Sequence, residues 1–302
     1  MPIYRTACPA CGSPEVAEVL TATDHTVSGE PFAIWHCAAC TLRFTQDAPE
    51  PELIGRYYQS EDYVSHSNTR EGFVNGAYQR VRQITLAQKR ALLREVTGLQ
   101  TGAVLDVGCG TGEFLHTMAG AGWRTRGLEP DAGARAYAAG RYGLAVDAPE
   151  VLFAGGDADL ARVAWDAITL WHVLEHVHRL HDYLTRLRTL MGAHGKLIIA
   201  VPNYTSPDAG HYGAEWAAYD VPRHLYHFSP DALTRLLDRH DIRVRELRPM
   251  PFDAFYVSLL SERYAHGALR PAHAVASGLK SWWPARGDAR RASSVMYVCE
   301  AA

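Results

Sequence analysis

Ala103-Val-Leu-Asp-Val-Gly-Cys-Gly-Thr-Gly112 opens as a short apolar run and passes directly into three glycines spaced by single residues. The first half reads as a buried strand, and a helix is expected from Gly112 onward. Glycines at such a junction let the backbone turn tightly and let a ligand approach with no Cβ in the way. A second strand, Arg124–Leu128, ends at Glu129-Pro130, 23 residues beyond Asp106. An acid at that place can accept both hydroxyls of a ribose. Dinucleotide enzymes use Gly-x-Gly-x-x-Gly and seat a pyrophosphate on the helix N-terminus. Here the spacing is Gly-x-Gly-x-Gly, and Glu113 opens the helix where that anion would have to sit.

Outward from this turn, strands are expected at Leu144–Val146, Ala167–Trp171, Lys196–Val201, Ile242–Leu247 and Val295–Cys299. One helix, from about Ala77 to Val96, precedes the strands, and others fall between them: one after Trp171 running through Leu190, and one opened by Ser229-Pro-Asp. Such alternation predicts an α/β fold, a mostly parallel sheet with helices on both faces. About 45 residues separate the last two strands, in two helical pieces, Phe252–Tyr264 and Leu269–Trp283, with Trp282 and Trp283 exposed. This insertion, at about 249–294, would cap a substrate site or make a homodimer contact. The chain of 302 residues divides into a small unit at 1–48, a helical lid or linker at 49–97, and a catalytic domain at 98–302. With 47% apolar and 21% charged residues it is a globular chain, and a net charge of −3 argues against a dedicated nucleic-acid binder. No run is long and apolar enough for a membrane span, and no signal pattern opens the chain, so a cytoplasmic location is expected.

In the first unit, Cys8-Pro-Ala-Cys11 and Cys37-Ala-Ala-Cys40 stand 25 residues apart and offer four thiolates. That is the complement of a closed, tetrahedral structural zinc site. So small a piece with few large apolar residues cannot fold on burial alone, and metal ligation would supply the missing stability.

Four motifs together resemble class I S-adenosylmethionine-dependent methyltransferases: Val104 to Gly112, Gly127-Leu-Glu-Pro130, Trp165 to His176, and Gly195 to Asn203. The resemblance spans about residues 90–248 and implies a Rossmann-like, seven-stranded, mostly parallel sheet. It implies that Asp106, Gly108, Cys109 and Gly110 cradle the methionyl part of S-adenosylmethionine, that Glu129 and Pro130 meet the ribose, and that Asp147 lies near the adenine. Trp171 and His172 would line the same cofactor site. The four-cysteine ribbon and the segment Asp220 to Phe228 look like a bacterial branch associated with tailoring of glycans and secondary metabolites. The implied reaction is O- or C-methylation of a small molecule. The alternatives are a ribosomal or transfer RNA methyltransferase, which net negative charge disfavours, a nucleotide-dependent oxidoreductase, and an interaction scaffold recruited through the ribbon.

His172-Val-Leu-Glu175-His176 also matches the His-x-x-Glu-His of some zinc proteases, but it follows a buried strand at the ligand-binding end of the sheet. In one reading His172, His176 and above all His224 line the substrate pocket as acid–base groups, with Arg223 holding an anionic substrate group. In another, His172, Glu175 and His176 share a helical face and bind a divalent metal with His224. That set is similar to the Glu-x-x-Glu-His pattern with a distal histidine in small-RNA 2′-O-methyltransferases and, in part, ubiquinone-pathway O-methyltransferases. His172 in place of the first Glu implies an ion softer than magnesium. The plain reading is that Glu175 and His176 make structural hydrogen bonds at a helix start, with His178 and His181 on the solvated face. Before the first sheet strand, Tyr58, Tyr63 and His66 are expected to close over the cofactor as a lid; otherwise the segment is a spacer on which the ribbon swings.

Overall fold

The computed structural model describes residues 2–59, 73–153 and 158–302, so Tyr63 and His66 lie outside the described residues. In chain order the strands are β1 (Val16–Thr23), β2 (Pro31–Cys37), β3 (Arg43–Thr45), β4 (Ala103–Val107), β5 (Arg124–Leu128), β6 (Val146–Asp147), β7 (Trp165–Trp171), β8 (Met191–Pro202), β9 (Tyr226–His227), β10 (Ile242–Pro249) and β11 (Ser294–Ala301). The described helices are α1 (Phe73–Thr97), α2 (Glu113–Gly120), α3 (Ala132–Tyr142), α4 (Ala158–Arg162), α5 (Leu180–Leu190), α6 (Pro207–Tyr212), α7 (Pro230–Asp238), α8 (Asp253–His266) and α9 (Pro271–Ala285).

The strands form a seven-stranded sheet in the order β10-β11-β8-β7-β4-β5-β6 and a four-stranded sheet in the order β1-β2-β3-β9. In the large sheet β5, β6, β7 and β8 run parallel to β4 or to one another, and β11 is antiparallel to both β8 and β10. All five residues of β4 are buried, because a central parallel strand is covered by helices on both faces and must be apolar on both. On α5 the stripe Leu180, Leu184, Leu187 and Leu190 faces the core. Each such leucine contributes roughly 2 kcal/mol by leaving water. The Ser229 hydroxyl accepts the Ala232 N–H at 3.0 Å and caps α7, with Pro230 at its first position.

Two expectations about local structure are corrected. No continuous helix follows Trp171: residues Leu174–His176 form one 3-10 turn, and α5 begins only at Leu180. Here the backbone bonds to neighbouring elements instead of to itself. The His172 N–H reaches Ala200 O at 2.9 Å, and Glu175 O accepts the Leu225 N–H at 2.8 Å. Of the two tryptophans in the insertion, Trp283 is exposed and Trp282 is half-buried, with the Arg286 guanidinium 5.0 Å from its ring. Gly278 of α9 faces Phe255 of α8 so closely that a Cβ there would lie 2.6 Å from its ring. That contact holds the two helices together, and the first turn of α8 brings Asp253 to the C-terminal end of β7.

The N-terminal hairpin is joined to the rest of the protein through its third strand. β3 pairs antiparallel with β9, matching Arg43 to His227 and Phe44 to Tyr226. The Thr45 hydroxyl donates to His224 O at 2.6 Å, so the last strand of the ribbon carries the loop that bears His224. No described helix is long and apolar enough to cross a membrane.

Candidate functional site

At the C-terminal ends of β4 and β5 the glycine turn closes on an acid. The N–H groups of Gly108 and Cys109 both donate to Leu128 O, at 2.7 and 3.1 Å. Gly110 N–H donates to Glu129 Oε2 and Asp131 N–H to Oε1, each at 2.9 Å. Gly108 has φ +72°, and a Cβ there would stand 2.4 Å from Val173. Gly110, at φ +55°, has open space where its Cβ would be, which is room for a ligand against bare backbone. Glu129 is buried, so its pKa is raised by desolvation against the two N–H groups that hold it charged. Each carboxylate oxygen keeps a lone pair for a hydroxyl. Asp106 is buried at the end of β4, accepts the Thr169 hydroxyl at 2.5 Å, and is pushed up by burial to about 7.

Trp171, at the end of β7, packs edge-on against Phe114 with ring centroids 5.7 Å apart. Its buried indole N–H has no partner among the described residues. Over the same ring, 4.1 Å from its centroid, lies the ammonium of Lys89 on α1. Burial draws its pKa down to about 8, against the pull of Asp106 and Asp253. Lys89 escaped the sequence reading, although its place was a signal: it stands three residues after Leu86 and four before Leu93, on the apolar stripe of its helix. An open glycine turn, a ribose-competent acid, an aromatic wall and a cation fit S-adenosylmethionine. Two further residues expected at the cofactor have partners within the protein. The Cys109 thiol is buried and turned to Gly110 O at 3.8 Å. The Asp147 carboxylate, expected near the adenine, is held at Oδ2 by Arg126 at 2.5 Å.

The histidines divide into two groups. His172 has φ +58° and does not share a helical face with Glu175 and His176. Its Nε2 stands 3.1 Å from Asp253 Oδ2 and its Nδ1 3.4 Å from Glu175 Oε1. Burial opposes its charge, but the two carboxylates win and raise its pKa to about 10. It is therefore a fixed cation near neutral pH and not the expected base. His176, by contrast, is drawn down to about 4 by burial and by His224. The Nδ1 of His176 lies 3.0 Å from Arg223 O and 3.0 Å from the Tyr58 hydroxyl, and the Nδ1 of His224 lies 2.9 Å from Ala218 O. Tyr58, the member of the expected lid among the described residues, thus touches His176. The Lys89 ammonium feels the charges of both Asp106 and Asp253, His172 pairs with Asp253 and with Glu175, and the His176 and His224 rings stand 4.5 Å apart.

Arg223 does not hold a substrate anion. It is 1% exposed and spends its guanidinium on Asp24, Asp220, Thr26 and the Tyr57 carbonyl. His178 is half-buried and bonds Pro49 O at 2.9 Å, whereas His181 is exposed beside His240. In the ribbon, Cys8 and Cys40 sulfurs are 3.5 Å apart and Cys11 and Cys37 sulfurs 3.6 Å. All four fall within one 4.8 Å cluster. Disulfide sulfurs would be about 2.0 Å apart, and thiolates around one zinc about 3.8 Å, so the group fits a shared ion.

The methyltransferase-domain family model matches residues 78–247, more than half of the chain. The chain belongs to this family. A ubiquinone biosynthesis O-methyltransferase of Actinobacillus pleuropneumoniae serotype 5b (strain L20) is 26% identical over 192 residues, covering 59% of this chain and 82% of that protein. The crystal structure of magnesium protoporphyrin IX methyltransferase from Synechocystis PCC 6803 is similar at a TM-score of 0.50 and 15% identity, covering 84% of this chain and 100% of that one. The 1,6-didemethyltoxoflavin-N1-methyltransferase of Burkholderia thailandensis is similar at a TM-score of 0.49 and 16% identity, covering 93% of this chain and 99% of that one. The protein is an S-adenosylmethionine-dependent methyltransferase on a class I, Rossmann-like sheet.

Proposed function

We propose that this methyltransferase moves the methyl group of S-adenosylmethionine to an oxygen or carbon acid of a small molecule, such as a sugar or secondary-metabolite intermediate. The observation that carries the reading is a largely buried cluster, Glu175 with His176 and His224, whose polar atoms lie within 4.8 Å of one another just beyond the C-terminal end of β7, the strand that also carries Trp171. Glu129 would hold the ribose hydroxyls, Trp171 would wall the cofactor, and Lys89 would face its carboxylate at the methionyl end. The cofactor supplies an electrophilic methyl on a sulfonium. The S–CH3 bond breaks as the bond to the acceptor forms, S-adenosylhomocysteine leaves as a neutral thioether, and the acceptor loses its proton at the cluster. The two imidazoles suit that task, because each Nδ1 is committed to a backbone carbonyl, which leaves Nε2 to face the acceptor. The fixed His172 cation supports negative charge growing on the acceptor side.

Calorimetric titration tests the reading: one S-adenosylhomocysteine per chain is expected, and a small-molecule extract should take up labelled methyl. Saturable NAD binding in its place would refute it, and label appearing only in RNA would refute the small-molecule acceptor. For the ribbon, a structural zinc in the Cys8, Cys11, Cys37 and Cys40 group is proposed, holding β3 in register with β9. Elemental analysis is expected to find about one zinc per chain. Cys8→Ser and Cys37→Ser should each lose it and lower the thermal midpoint. Unchanged zinc content in both variants would place the metal elsewhere.

A further inference from the structure

We infer that the outward face of α9 docks on an anionic lipid surface, the helix lying along the headgroups with its apolar side chains sunk among them. Its inner face carries small residues, Ala274, Ser277, Gly278, Ser281 and Ala285, all buried. Its outer face carries Val275, Leu279 and Trp283 on successive turns, 50%, 45% and 68% exposed. Residues at i, i+4 and i+8 share one face of a helix, so these three form a continuous apolar ridge. Ala272 and Ala276 are exposed on the same helix, and Leu269, just before it, is exposed as well. A helix on the surface of a globular domain normally turns its large apolar residues inward and its polar ones out. α9 does the reverse. Apolar side chains gathered on one exposed face mark a surface that meets something other than water.

Charge decides the occupant. No acid occurs from Arg263 to Gly287, and residues 270–291 hold five basic side chains against Asp288 alone, a net +4 in a chain of net −3. Arg270 and Arg290 pair with Glu262 and Asp231. Lys280 and Arg286 have no carboxylate partner among the described residues, and they stand one residue after Leu279 and three after Trp283. A second copy of the chain would set the same cations against these, whereas lipid phosphates meet them with opposite charge. The Arg286 guanidinium lies 5.0 Å from the Trp282 ring and 5.3 Å from that of Trp283, and the two indoles are 6.3 Å apart. Indole rings settle at the boundary between acyl chains and headgroups. An arginine packed on them keeps its stem in apolar surroundings and carries its charge to the phosphates. At 15 residues α9 is roughly 22 Å long, too short to cross a bilayer and suited to lie on one.

Vesicle sedimentation of the full chain tests the docking, with vesicles of phosphatidylcholine and with vesicles of phosphatidylcholine and phosphatidylglycerol in equal parts. The protein should pellet with the anionic vesicles at low salt, stay in solution with the neutral ones, and be released by about 0.5 M sodium chloride. Leu279→Gln together with Trp283→Gln should lower the partition coefficient about tenfold or more. Lys280→Glu should lower it about fivefold or more. These side chains are exposed, so thermal midpoint and S-adenosylhomocysteine affinity should match wild type; if the midpoint of the double variant falls, Lys280→Glu carries the comparison. Wild-type protein that stays in solution with anionic vesicles overturns the docking, as does binding unchanged in the variants. Equal binding to neutral vesicles overturns the choice of an anionic surface. Analytical ultracentrifugation of the same samples supplies the last outcome. A wild-type dimer that ignores vesicles and becomes a monomer in the double variant would make this face a contact between two copies and overturn the lipid assignment.

Discussion

Glu129→Ala is expected to weaken S-adenosylhomocysteine binding by about 3 kcal/mol or more, over a hundredfold, because it strikes the cradle twice. The carboxylate is the assigned acceptor for two ribose hydroxyls, and hydrogen bonds to a charged group contribute about 1.5–3 kcal/mol each. It also holds the turn, accepting Gly110 N–H and Asp131 N–H at 2.9 Å apiece. With alanine those two donors lose their partner and the glycine turn loses its fixed shape. Glu129→Gln separates the effects: one amide oxygen still accepts, so the turn is partly kept while the charge is gone. Binding should fall less in Gln than in Ala, and the unfolding midpoint should move little in either. Affinity within threefold of wild type in Glu129→Ala would remove Glu129 from the cofactor site.

Arg223→Met should lower unfolding free energy by about 3–5 kcal/mol, the range seen when one partner of a buried ion pair is removed. The guanidinium clips three segments together: Asp24 at the tip of the β1–β2 hairpin, Tyr57 O, and Asp220 in the loop before His224. Asp24 is 1% exposed; burial opposes its charge, yet the Ser28 N–H, Arg223 and nearby hydroxyls keep its pKa below the ordinary value. Without Arg223 that carboxylate stays buried with only the hairpin's own donors. Denaturant unfolding followed by fluorescence measures the loss, and zinc content measured alongside should stay the same. A change under about 1 kcal/mol would mean that water replaces Arg223 at little cost.

Residues 103–129 were legible without a structure because their information is local. Positive φ at Gly108, Gly110 and Gly112 demands glycine, a buried parallel strand demands an apolar run, and Glu129 follows its strand at a set distance. The four cysteines were legible for the same reason, since a two-residue gap is enough to aim two sulfurs at one ion. The rest of the site depends on partners that arrive from distant chain segments. Lys89 comes from a helix before the sheet, and Asp253 from an insertion behind its sixth strand. Arg223 meets Asp24 across 199 residues. No spacing rule foretells which carboxylate meets which cation, so Arg223 read as a substrate clamp and His172 as a base. In the fold the first is a buried clip and the second a fixed cation, because burial makes each charge take whichever opposite charge the tertiary packing brings within reach.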